Sequence, residues 1–142
     1  MPQWQDRTRA SICDTAARLI AEEGIRALAT GLPRVLETPN DIDARSNALY
    51  GAWLCGIVLG SVAMGLHHKL CHTLGGSFTL PHAEVHTVVL PHALAYNAPL
   101  APAALARIAR ALGCGDAPLA LQQLAARHGA ATSLQALGMP EA

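Results

Sequence analysis

Charge is scarce in this chain: Asp, Glu, Lys and Arg make up 14% of its 142 residues, against about 25% in an ordinary soluble domain. The ten basic and ten acidic residues cancel. No basic cluster is longer than a pair, so the electrostatic footprint of a nucleic-acid binder is missing and that class is excluded. No C-x-x-C occurs; Cys13, Cys55, Cys71 and Cys114 are widely spaced and two of them sit in apolar stretches. That usage suits buried thiols in a reducing compartment, and a cytoplasmic location is expected. The polar start MPQWQDRTRASICD lacks the apolar core of a secretory signal. Strand-forming runs are nearly absent too. Val85 to Leu90 is the one apolar β-branched run, and it is short, closed by Pro91, and equally readable as a buried helix.

What remains is helical, and the expected fold class is all-α, a helical bundle with short connections. Thr15 to Thr30 is rich in Ala, Leu, Arg and Glu, with Asp14 as an N-cap and Gly31 and Pro33 as stop signals. A long second helix is expected to start near Thr38-Pro39-Asn40-Asp41, where Asp41 and Asp43 suit the positive end of the helix dipole. Two more are expected over about Pro102 to Leu112 and Pro118 to His128, the latter closed by Gly129.

Between Arg45 and Lys69 lie 23 residues without formal charge, long enough to span a bilayer. Four glycines, Ser61 and a histidine pair at one end argue against a membrane span at Ser46 to Leu66. The better expectation is a helix buried on all sides, with Gly56-x-x-x-Gly60 giving flat ground for close packing.

Six of the seven histidines fall between His67 and His92. His68 and His72 are four apart and share a helix face; His82 follows across an expected Gly75-Gly76 turn. Three imidazoles therefore come within reach of one centre, which suits either a divalent metal such as Fe²⁺ or Zn²⁺ or a proton relay near neutral pH. His67 lies about 100° round the helix from His68 and is expected at the edge of a substrate pocket. For His86, His92 and His128 the expectation is a hydrogen-bonded core role. Lys69 reads either as an anion-binding cation or as a solvent-facing residue, and Glu84 as a group that orients a histidine or caps the helix opening at Pro81-His82.

The run GLHHKLCHTLGG followed by Pro81-His82 resembles the second signature of the iron-containing alcohol dehydrogenase family. LPHAEVHTVVLPHALAYN, AEEGIRALATGLP and NALYGAWLCG resemble its maleylacetate reductase branch, whose members reduce maleylacetate to 3-oxoadipate with NADH or NADPH in aromatic-compound catabolism. The resemblance spans about residues 21 to 138. It implies that residues 21–142 form the helical C-terminal domain of the iron-alcohol-dehydrogenase and dehydroquinate-synthase type, with 1–20 a poorly matching segment. By the same resemblance His68 and His82 are metal ligands, and His72 is catalytic beside nicotinamide and substrate. His67 and Lys69 match the branch whose substrate is a dicarboxylate, which implies substrate contacts for both and a supporting catalytic role for His67.

The chain departs from that pattern in three ways. It has no G-x-G-x-x-G, no G-G-G-S and no βαβ pattern, so the nucleotide-binding domain is absent and no cofactor site is assigned. The Asp-x-x-x-His that completes the family's metal set is missing, and the end at Met139-Pro140-Glu141-Ala142 falls short of the family's final helices. The expectation is a fragment, inactive by itself, whose candidate partners are a separate nucleotide-binding chain or a second copy in a homodimer. The alternative from another class is a non-catalytic helical module that binds a partner or a metal.

Overall fold

The computed structural model describes residues 3–140, with side chains from residue 14 onward. The terminal Glu141-Ala142 and the side chains of Asp6 and Cys13 lie outside the described residues. Six α-helices and one 3₁₀ turn follow in order: α1 (Gln3–Glu37), α2 (Ile42–Ser61), α3 (Leu66–Phe78), α4 (His82–Asn97), α5 (Pro102–Leu112), α6 (Ala117–Arg127) and the turn Gln135–Leu137. The all-α expectation holds, and the Val85 to Leu90 run belongs to α4. The chain divides into two compact units, residues 1–62 and 63–142.

In the first unit α1 packs along α2. The expected helix stop at Gly31 and Pro33 does not occur, and Asp14 is no N-cap: α1 runs through all three, with Asp14 paired to Arg18 on its surface. The reason is that Gly31 serves the packing. A Cβ there would stand 2.8 Å from the backbone nitrogen of Ala48, and one at Gly51 would stand 2.9 Å from Leu28 Cγ. Gly24 is equally tight against Cys55 Sγ at 2.8 Å. Pro33 only removes one backbone donor near the helix end, where few bonds remain to be lost. Asn47 Nδ2 donates to the Ala27 carbonyl at 3.1 Å, tying the helices across the seam.

The turn between them carries its own polar set. Asp41 caps α2 as expected: its Oδ1 accepts from the Ala44 N–H at 2.9 Å, and its Oδ2 accepts from Arg34 Nη2 at 2.6 Å. The Ala44 amide and then the Arg34 guanidinium hold its carboxyl below the usual carboxylate range.

Two expectations about α2 are corrected. It is not buried on all sides: only Ala44, Gly51 and Leu54 are buried, while Leu49, Trp53 and Ile57 are exposed. Within the first unit, the stripe that carries the buried residues faces α1. Nor do Gly56 and Gly60 provide the packing surface, since a Cβ at either would meet nothing within 4 Å. The uncharged run is also interrupted. The helix ends at Ser61, Val62 is extended, and α3 begins at Leu66. Among the described residues no single helix is long and apolar enough to cross a membrane; α2 and α3 meet that test only as a broken pair.

In the second unit α3 packs on α4, α4 on α6 and α5 on α6. Gly75 and Gly76 are helical rather than a turn, and α3 ends at Thr79 instead, whose φ of 53° is left-handed. The Leu80 N–H donates to the Gly75 carbonyl at 3.2 Å, closing the helix, and Pro81 then starts α4. The core gathers Cys71 from α3, Leu80 from the turn, and Val85, Val89 and Ala93 from α4, with Leu134, Leu137 and Met139 packed against it. Helices α5 and α6 begin and end as expected, Asp116 capping α6 by accepting from the Leu119 N–H at 3.0 Å, and Gly113 closing α5 at φ 68°.

The glycine seam yields a direct test by thermal unfolding. Gly51→Ala forces backbone or Leu28 to move and is expected to cost about 1–3 kcal/mol. Gly56→Ala and Gly60→Ala fill open space within a helix and are expected to stabilise by up to about 1 kcal/mol each. The reverse order would place the close contact at the wrong glycines.

Candidate functional site

The loop from Thr79 to Pro81 turns the chain so that α4 returns beside α3, and this sets which histidines meet. His72 faces His82 near the turn, and His67 and His68 face His86 one helical turn further away. On α3 the spacing 68/72 stacks two rings on one face; on α4 the spacing 82/86 does the same. Five imidazoles result, and His86 lies among the other four. Its ring centroid is 4.4 Å from that of His82, 4.8 Å from His67, 4.9 Å from His68 and 6.5 Å from His72.

The expected trio of His68, His72 and His82 is therefore brought to one place. His68 and His72 lie 6.2 Å apart and His72 and His82 5.5 Å apart, centroid to centroid. His68 and His82 each touch His86 rather than form a ring contact with one another. Two sets of three donors have ligand atoms within 4.8 Å of one another: His72, His82 and His86, and His67, Cys71 and His86. His68 belongs to neither.

The expectation of a hydrogen-bonded core role fails for His86. Its Nε2 is buried without a hydrogen-bond partner among the described residues, so it is not the satisfied polar group that a core role requires. The signal was in the sequence: 82 and 86 repeat the four-residue spacing of 68 and 72. His92 is exposed on α4, and His128 forms the C-cap of α6, so both stand apart from this group.

The environment is apolar on one side and basic on the other. Burial first, then the neighbouring imidazoles, push the His86 pKa down from 6.5 to about 4. The same causes lower His68, with burial again the larger. Burial raises the Cys71 thiol, which is fully enclosed beneath His67 on α3. His72 and His82 are exposed, and His67 is half-buried, with its Nε2 3.1 Å from the backbone carbonyl of His86. Lys69 and Glu84 are both on exposed positions of their helices, and neither pairs with these rings.

His86 carries a linked stability effect. Between about pH 4 and pH 6.5 the unfolded chain binds the proton that the folded chain refuses, so stability rises with pH across that window and is fully regained above it. Two-dimensional NMR of the ring nitrogens is expected to show His86 neutral down to about pH 4, with thermal stability falling as the pH is lowered towards that value. A His86 that titrates like a free imidazole would contradict the burial of its Nε2.

Comparison with known proteins shows the family to which the chain belongs. The profile of the Fe-containing alcohol dehydrogenase family, C-terminal region, matches residues 9–142. The maleylacetate reductase of Burkholderia cepacia is 66% identical over 122 residues, which is 86% of this chain and 35% of that protein. The maleylacetate reductase of Pseudomonas sp. (strain P51) is 59% identical over 124 residues, again 35% of its length. The crystal structure of maleylacetate reductase from Agrobacterium tumefaciens superposes with a TM-score of 0.84 at 57% identity, over 88% of this chain and 35% of that one. The chain thus spans about a third of the length of the curated relatives it matches. With fold and sequence in agreement, the chain belongs to the Fe-containing alcohol dehydrogenase family, and it corresponds to the C-terminal, all-helical part of that family.

Proposed function

We propose that this chain provides the acid–base and substrate-holding histidines of a maleylacetate reductase, the NAD(P)H-dependent reduction of maleylacetate to 3-oxoadipate. The observation that carries the reading is the position of His72: it is exposed, on the rim of the histidine group, and flanked by His82 and His68. A group that hands a proton to substrate must be reachable from solvent yet held in place by its neighbours. An imidazole does this near neutral pH in either direction. In this reading hydride adds to the carbon–carbon double bond conjugated with the ketone and His72 protonates the oxygen of the enolate that develops, which returns to the ketone as the enol tautomerises, with His67 in a supporting role five residues earlier on α3.

The substrate is a dicarboxylate, and Lys69 beside His67 offers a charge-assisted contact to one carboxylate. Thr73 Oγ1 donates to the Lys69 carbonyl at 2.9 Å, on the exposed side of α3. The nicotinamide cofactor, when bound, supplies the hydride. The donors also fit a divalent first-row metal, given three convergent imidazoles and the unpartnered Nε2 of His86. Of the two residues proposed as ligands, His82 belongs to that set, while His68 touches His86 without joining it; His82 with His72 and His86 would hold Fe²⁺ or Zn²⁺ there, supplying Lewis-acid polarisation of a carbonyl. The free thiols of Cys55, Cys71 and Cys114 support action in the cytoplasm. A second reading, a helical module that docks a partner chain, draws on the exposed Leu49 and Trp53 of α2.

The test is a chimera in which the matching third of the Burkholderia cepacia enzyme is replaced by this chain. It is expected to oxidise NADH with maleylacetate, and His72→Ala is expected to lower kcat by about 10²- to 10⁴-fold. Lys69→Met is expected to raise KM while leaving kcat within a few-fold. A folded chimera that is inactive, or one indifferent to His72→Ala, would overturn the reading.

A further inference from the structure

We propose that His67, Cys71 and His86 form a second metal site, one that takes a thiophilic divalent ion of the zinc class through one thiolate and two imidazoles. It differs in its donors from the His68 and His82 pair, and it does not depend on the reductase reading. Cys71 is fully buried, yet its sulfur lies within 4.8 Å of ring nitrogens from both histidines. Its neighbours on the other side are Leu80, Val85, Val89 and Ala93. The thiol thus sits at the boundary between the apolar core and the imidazoles, with only the imidazole side able to offer a ligand atom.

The local sequence builds this. His67 and Cys71 are four apart on α3, so both project from one face, and His86 comes from the facing helix. His67 Nε2 lies 3.1 Å from the His86 carbonyl. An N–H donated to that carbonyl fixes the tautomer and leaves Nδ1 as the free lone pair, the outer-sphere arrangement that orients ligating histidines in metal sites. The buried Nε2 of His86 has no hydrogen-bond partner among the described residues, so it is open to this set or to the set with His72 and His82, one at a time.

Size and donor type then select the ion. A tetrahedral zinc site holds its nitrogen and sulfur donors about 3.4–3.6 Å apart. Donors now at most 4.8 Å apart reach that spacing by side-chain movements of about 1 Å. The fourth position is left to water, as in three-ligand sites. One thiolate with two imidazoles favours zinc-like ions over hard cations such as Mg²⁺ or Ca²⁺. Binding expels the thiol proton to solvent, because the ligand is the thiolate.

Cobalt(II) titrated into the reduced, anaerobic 142-residue chain tests this, since a thiolate ligand adds an intense sulfur-to-cobalt charge-transfer band in the near ultraviolet. One equivalent is expected to raise that band. Cys71→Ala is expected to abolish it, whereas Cys55→Ala, Cys114→Ala and His72→Ala keep it. His67→Gln, a milder change at an accessible position, is expected to weaken cobalt binding at least about tenfold with the far-ultraviolet circular dichroism unchanged. Cobalt saturation without the band, the band surviving Cys71→Ala, or a folded His67→Gln chain of unchanged affinity would each overturn the site. Because His72 is spared here and required for turnover in the chimera, failure of either reading leaves the other standing.

Discussion

The contact between α3 and α4 at Cys71 and Val85 is the constraint on which the rest of the site depends. Both side chains are fully buried, and they lie on helices joined by only three residues, Thr79 to Pro81. Burying them fixes the rotation of each helix about its axis. Once that rotation is set, the histidines at 67, 68 and 72 must face those at 82 and 86. Apolar packing on one side of the pair thus dictates the imidazole geometry on the other, and the left-handed Thr79 holds the reversal that makes it local.

The cost of the arrangement is electrostatic. Five basic rings share a small volume with no carboxylate ion-paired to any of them among the described residues. Burial at His86 keeps that ring neutral to about pH 4, so the lone pairs needed for a metal or a proton remain available at neutral pH. The outer rings, His72 and His82, are the exposed ones. The division follows depth: the half-buried ring at the centre orders the others, while the exposed ring is placed to meet a substrate.

Local signals in the sequence were strong where one helix decided the outcome. The four-residue spacing of His68 and His72, the start of α2 at Asp41 and the span of α5 all follow from single-helix geometry, and they stand where expected. The misses come from contacts between helices. Gly31 carries the signature of a helix end but serves the seam with Ala48. Gly56 and Gly60 carry the signature of a seam but face open space. His86 reads as a core residue in the sequence because its place among the other rings arises only when α4 folds back on α3, although its spacing from His82 repeats that of 68 and 72. The uncharged run after Arg45 carries the signature of complete burial, whereas among the described residues α2 buries Ala44, Gly51 and Leu54 and leaves Leu49, Trp53 and Ile57 exposed.

Whether His86 is truly the centre of the group is the claim that everything else rests on, and the ring-nitrogen NMR spectrum of His86→Ala compared with the native chain measures it directly. Removal of a hub that contacts four other rings should shift the resonances of His67, His68, His72 and His82 together, while His92 and His128 stay put. Unmoved His68 and His82 resonances in a folded His86→Ala chain would mean that the two helices present their histidines to different places, and the account would be wrong.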